Sequence, residues 1–164
     1  MRRRTPYLLL VIALLAVDLW SKDAAFTALD GYEENPAVWK HHDVIDGLFR
    51  ICVVRNTGAT FGLASGHGTI LLVLNLIVIV ILLAVFWRCR PGQWVRATSL
   101  SLILAGAFGN IYDRFRFGWV RDFLDFYVDT HHWPPFNVAD ACIVVGVAVL
   151  AVILWRTPAE KKSE

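Results

Sequence analysis

The stretch "PPFNVADACIVVGVAVLAVILWR", Pro134 to Arg156, decides how the chain is read. From Val138 to Trp155 it is apolar and nearly unbroken. About 20 such residues are what a helix needs to cross ~30 Å of hydrocarbon. Yet Asp140 lies one turn inside the run. On insertion scales an Asp costs roughly 2.5–3.5 kcal/mol at a span centre and less toward the ends. No Lys or Arg lies within ten residues of it on either side, so its partner must come from elsewhere in the chain.

Three further apolar runs precede this one, and the 164-residue chain is 57% hydrophobic. An ordinary soluble domain is about 45–50% apolar. The expectation is an all-α membrane protein, a single integral membrane domain over 1–164 with spans at about 7–25, 69–87, 97–112 and 138–155. Ser99, Ser101 and Asn110 make the third run the weakest. The first has the basic start of a signal peptide, but Asp18 and Lys22 stand where a small-residue cleavage site belongs. It is therefore read as retained.

Charge sets the orientation. The ends and the segment between the second and third runs hold Arg2, Arg3, Arg4, Arg88, Arg90, Arg96, Arg156, Lys161 and Lys162, against only Glu160 and Glu164. Elsewhere seven cations face twelve acids. The positive-inside rule puts both termini in the cytoplasm. A net charge of +2 gives no reason to expect nucleic acid.

The outer segments are then 26–68 and 113–137. In the first, "LFRICVVR", Leu48 to Arg55, is β-branched and runs into the turn signal "NTG". It predicts a strand in a small surface sheet. The second is rich in aromatic residues, from Phe115 to Trp133. Rings favour the headgroup level, so this segment is expected to lie along the interface. Cys52, Cys89 and Cys142 are scattered and suggest neither a disulfide framework nor a metal site. The His41–His42 and His131–His132 pairs have no metal-ligand spacing either, and no metal is expected.

The polar residues of the runs form a pattern. Asp18 and Lys22 are four apart on one helix face, as are Asn110, Asp113 and Arg114 at i, i+3 and i+4. All lie with Asp140 at the outer ends of their helices. Ion pairs that merely register the bundle, Asp18 with Lys22 and Asp113 with Arg114, are one reading. A catalytic layer is the other. Asn137 is placed to cap the fourth helix. Either acid of "VRDFLDF", Asp122 or Asp125, can face Asp140. If that segment is helical both turn inward; if it is extended they point to opposite faces. Ala105 and Gly109, four apart, allow the third helix to press closely on the fourth.

In order along the chain, "DLWSK" (Asp18 to Lys22), "RNTGATFG" (Arg55 to Gly62), "AGAFGNIYDR" (Ala105 to Arg114), "VRDFLDF" and "FNVADACI" (Phe136 to Ile143) resemble the motifs of the lipoprotein signal peptidase (signal peptidase II) family. Ala105, Thr60 and Ala141 depart from the family's usual Gly, Ala and Ser. No charged or amide group is lost by these changes.

The resemblance implies a membrane aspartic endopeptidase with Asp122 and Asp140 as its catalytic pair. Asn56, Gly58, Phe61, Asn110, Arg114 and Asn137 would bind substrate or support the pair, and Asp18, Lys22 and Asp113 would hold the scaffold. It implies no cofactor. The substrate would be a prolipoprotein carrying a diacylglyceryl-modified Cys, cleaved before that Cys near the outer leaflet of the bacterial inner membrane. Membrane lipids are the other expected partners, and the chain is expected to act as a monomer. A proton-relay transporter and a non-enzymatic assembly factor are the rival classes.

Overall fold

The computed structural model describes residues 4–32, 40–58 and 68–156. Helix α1 (Thr5–Ala28) is followed by strands β1 (His41–Ile45) and β2 (Phe49–Asn56). Helices α2 (Gly68–Trp87) and α3 (Trp94–Phe117) come next, then β3 (Val120–Val128), β4 (His131–His132) and α4 (Val138–Arg156). The expected helices are all present. The expected strand 48–55 is β2.

The distribution of side chains is the reverse of a water-soluble bundle. Ile12, Val80, Val144 and Trp155 are exposed, while Asp18, Lys22, Asp113 and Asn137 are buried. By length and composition α4 is long enough to cross a bilayer, and a shorter apolar stretch, Leu72–Trp87, lies in α2. The charges of α1 and the serines and amide of α3 lower the apolarity of those two helices.

Helix α3 is the centre of the bundle and packs on α1, α2 and α4. It ends where Gly118, at φ +82°, takes the left-handed conformation and donates its N–H to the Arg114 carbonyl at 3.0 Å. Glycine adopts that conformation without a Cβ penalty. Small residues set how closely α3 meets α4. A Cβ on Gly106 would run into the Ala139 carbonyl oxygen, and one on Gly146 would lie 2.8 Å from the Ser99 carbonyl oxygen. A Cβ on Gly109 would strike the Asp18 carboxylate of α1 and lie 3.2 Å from the Ala139 Cβ. The expected close approach is therefore present, but Gly106 and Gly146 serve it with Gly109. Ala105 belongs instead to the apolar cluster of Val11, Ile79, Leu100 and Leu104.

The four strands form one antiparallel sheet in the order β1-β2-β3-β4. The middle of the aromatic segment 113–137 pairs with β2. Several of its rings serve the inside: Trp119 stacks on Phe26, and Phe123 is buried with Phe26 and Val53. Phe115 and Trp133 remain exposed. A bulge in β2 between Ile51 and Val54 shifts the register, so that Val54 sits opposite Asp122. Beyond β4, Leu124 and Phe136 exchange backbone hydrogen bonds of 2.9 and 3.0 Å. That exchange holds the entry to α4 against β3.

Replacing Gly106 by Val forces α4 off α3. The expected result is a loss of about 1–3 kcal/mol of stability, read by unfolding in detergent. An unchanged midpoint would show that the two helices do not meet there.

Candidate active site

Asp122 is on β3 and is 1% exposed. It accepts a hydrogen bond at Oδ2 from Asn56 Nδ2 (2.8 Å) and at Oδ1 from Asn137 Nδ2 (2.6 Å). Asn56 is aimed by the turn that follows it. Gly58, at φ +89°, donates its backbone N–H to Asn56 Oδ1 at 2.8 Å. The amide oxygen is thereby occupied and the amide nitrogen is left for Asp122.

Asn137 and Asp140 begin α4 as a capping box. The Asp140 N–H donates to Asn137 Oδ1 at 2.9 Å, and the Asn137 N–H donates to Asp140 Oδ2 at 3.2 Å. Asn137 therefore caps a helix through its oxygen and holds Asp122 through its nitrogen. A negative charge at Asp140 also sits where the helix dipole favours it. Asp140 is half-buried, open enough to meet a substrate.

The second oxygen of Asp140 accepts from Asn110 Nδ2 at 2.8 Å. Asn110 has no choice of orientation. Its oxygen accepts from Lys22 Nζ at 3.1 Å and from Asn137 Nδ2 at 3.3 Å. Lys22 is fully buried and also pairs with Asp18 (2.8 Å) and Asp113 (3.3 Å). Asp18 in turn accepts the Ala139 N–H at 2.8 Å, capping α4 from α1.

The expected pairing of Asp113 with Arg114 is replaced. Asp113 is gripped by Arg121 through Nε (3.1 Å), Nη2 (2.8 Å) and the backbone N–H (3.0 Å). Arg121, which also donates to the Tyr32 hydroxyl at 2.7 Å, was not singled out from the sequence. Its one signal there was a cation beside a candidate acid in "VRDF". Arg114 donates weakly, at 3.4 Å, to the Asn110 carbonyl and feels the charges of Asp140 and Asp122. Phe61 lies outside the described residues.

The extended backbone of β3 separates the two candidate acids. Asp125 points away from Asp122 and pairs with Arg50 at 2.7 Å and with His132 Nδ1 at 3.1 Å. Among the described residues, Asp18, Asp113 and Asp125 all have ionic partners, whereas Asp122 and Asp140 are held by amides alone. Burial, and next the charge of Asp140, pushes the Asp122 carboxyl from an ordinary 3.8 up to about 7. The bonds from Asn56 and Asn137 act in the opposite direction. Between those two values the folded protein keeps a proton that the unfolded chain has lost. This group's contribution to stability therefore falls as pH rises from 3.8 to about 7, and its cost is complete above that.

Asn137→Ala removes the cap and one anchor of Asp122 together. It is expected to cost about 1–2 kcal/mol for the cap and up to about 3 kcal/mol more for the buried carboxylate left short of a donor. Thermal unfolding in detergent checks this. A loss of a few tenths would mean that the amide is not engaged.

The geometry can be set beside known proteins. The family model for signal peptidase (SPase) II matches residues 10–156. The lipoprotein signal peptidase of Geobacter sulfurreducens is 39% identical over 154 residues, with 92% of each chain covered. That of Moorella thermoacetica is 39% identical, with 97% of this chain and 99% of the relative covered. A solved bacterial membrane enzyme, obtained by the in meso method at 2.3 Å, superposes with a TM-score of 0.80 at 26% identity, covering 98% of this chain and 94% of that one. A second, at 1.9 Å, gives 0.78 at 25% identity. With a match from residue 10 to residue 156 and full-length likeness in both sequence and fold, the chain belongs to the signal peptidase II family.

Proposed function

We propose that the chain is an aspartic endopeptidase of the bacterial inner membrane. It cleaves a prolipoprotein before a diacylglyceryl-modified Cys, with Asp122 and Asp140 as the catalytic pair. Family membership supports the peptidase activity and the prolipoprotein substrate. The observation that carries the rest is the pair itself: two carboxyls from distant segments, linked through Asn137 and, among the described residues, in no ion pair.

The reading takes all four helices as membrane spans within one integral domain, with both termini cytoplasmic. Asp122 and Asp140 then lie near the outer leaflet. The lipid of the substrate stays in the bilayer while its peptide bond reaches the half-open Asp140. Asn56 and Arg114 face the incoming substrate; Gly58 and Asn110 serve by orienting Asn56 and Asp140. Asp18, Lys22 and Asp113 hold the frame.

Two carboxyls in one low-dielectric site do not both ionise easily, so one proton is shared. Asp122, the more deeply buried, holds it at rest. Asp140, as carboxylate, takes a proton from a water as the oxygen attacks the scissile carbonyl carbon. The Asp122 proton meets the developing oxyanion. The tetrahedral intermediate then collapses, the C–N bond breaks, and the amine leaves with a proton from the pair. No metal or organic cofactor enters these steps.

Asp122→Asn and Asp140→Asn, each expressed alone, should fold and leave a lipid-modified prolipoprotein uncleaved, with rates down by at least about 10²–10⁴. In the parent chain kcat/KM should fall as pH rises through about 7, where the shared proton is lost. Normal cleavage by either variant, or a flat profile across that range, would refute the pair.

A further inference from the structure

We propose that the end of the molecule remote from Asp122 and Asp140 binds the head of an anionic phospholipid. The site is a cavity of about 960 Å³ between the start of α1, the end of α2 and the start of α3. The inference rests on the membrane reading above and is independent of the catalytic pair. Arg4 and Lys22 are separated by roughly 27 Å of helix at 1.5 Å per residue.

The cavity is cationic at its rim and apolar on its walls. Arg4 and Arg90 line it, with Trp87, Trp94, Phe86 and Leu8, and among the described residues no Asp or Glu does. Arg4 is fixed in place. Its Nη2 donates to the Trp87 carbonyl at 2.8 Å, and its guanidinium lies 4.7 Å from the Trp87 ring centre. Its other N–H groups, and the exposed guanidinium of Arg90, have no hydrogen-bond partner among the described residues. Arginine's planar fork is suited to phosphate oxygens.

Two helix starts reinforce the charge. Thr5 opens α1 and Trp94 opens α3, and both line the cavity. Neither helix has a side-chain cap or an acid in its first turn. The added positive potential comes chiefly from α3, since at the start of α1 Pro6 has no N–H and the Tyr7 N–H already donates to the Arg4 carbonyl at 3.1 Å.

The occupant must satisfy both parts of the site. A free phosphate would answer the cations and leave the walls wet. Trp87, Trp94 and Leu8 are 51%, 66% and 41% exposed. A phospholipid covers them with its glycerol and upper acyl chains. Basic recesses between helices at the cytoplasmic face are where acidic head groups are held.

The full chain in neutral detergent, offered phosphatidylglycerol and phosphatidylcholine, is to be followed by native mass spectrometry. The parent should retain phosphatidylglycerol preferentially. Arg4→Gln with Arg90→Gln should weaken that retention on the order of thirtyfold, and Arg90→Gln alone about fivefold. The single variant leaves the Arg4 bond to Trp87 intact, so it reports even if the double variant folds poorly. Cleavage of a lipid-modified prolipoprotein in the same detergent should be unchanged in Arg90→Gln. Equal retention of the two lipids by the parent would overturn the proposal. So would undiminished phosphatidylglycerol in Arg90→Gln, or displacement of the lipid by millimolar glycerol phosphate.

Discussion

The arrangement depends on one buried cation. Lys22 is fully enclosed, and an ammonium in a low-dielectric interior is tolerable only with close partners. It has three: Asp18 from its own helix and Asp113 and Asn110 from α3. Each partner passes the constraint on. Asp18 reaches the start of α4 through the Ala139 N–H. Asp113 fastens Arg121 and so the beginning of β3. Asn110, its oxygen claimed by Lys22, presents its nitrogen to Asp140. A single charge thereby registers three helices and a strand around Asn137, which contacts both Asp122 and Asp140.

The same network divides the acids into two kinds. Asp18 and Asp113 balance Lys22 and Arg121, and Asp125 answers Arg50 on the far face of β3. Each of these three carboxylates is tied to a cation within hydrogen-bond reach and serves the frame. Asp122 and Asp140 have amides instead. An amide donor orients a carboxyl without supplying the full charge that would pin it in one protonation state. Under the proposed mechanism the pair gains and loses protons in each cycle, which suits that kind of partner. Proton traffic across the whole bundle finds little support. The Ser99 and Ser101 hydroxyls of α3 donate back to the carbonyls of Arg96 and Ala97, so they do not extend the polar layer inward.

What the sequence could reveal followed the range of each interaction. Asp140 was conspicuous because an apolar run surrounds it. Lys22 with Asp18 was visible because the helical period puts residues four apart on one face. Asn137 could be read as a cap and as part of a site; it caps α4 and also donates to Asp122. The choice between Asp122 and Asp125 was closed to residue-level reading, since it turns on whether the backbone there is helical or extended. The β-alternation was hidden by charges and rings buried on both faces. Arg121 with Asp113 was missed because the left-handed turn at Gly118 folds one back on the other. Gly106 was passed over for Ala105 because small-residue spacing gives a period but not which face meets α4. The family motifs supplied Asp122 by analogy; the extended β3 turns Asp122 and Asp125 to opposite faces.

The central claim is that Asp122 and Asp140 share one site. The direct measurement is a pH titration of the Asp122 carboxyl, by carbon NMR of labelled aspartate or by infrared difference spectroscopy, in the parent chain and in Asp140→Asn. If the charge of Asp140 helps to hold the Asp122 carboxyl up near about 7, removing that charge lowers the Asp122 midpoint. A midpoint that does not move when Asp140 is neutralised would mean that the two acids do not share a site, and the account would fail.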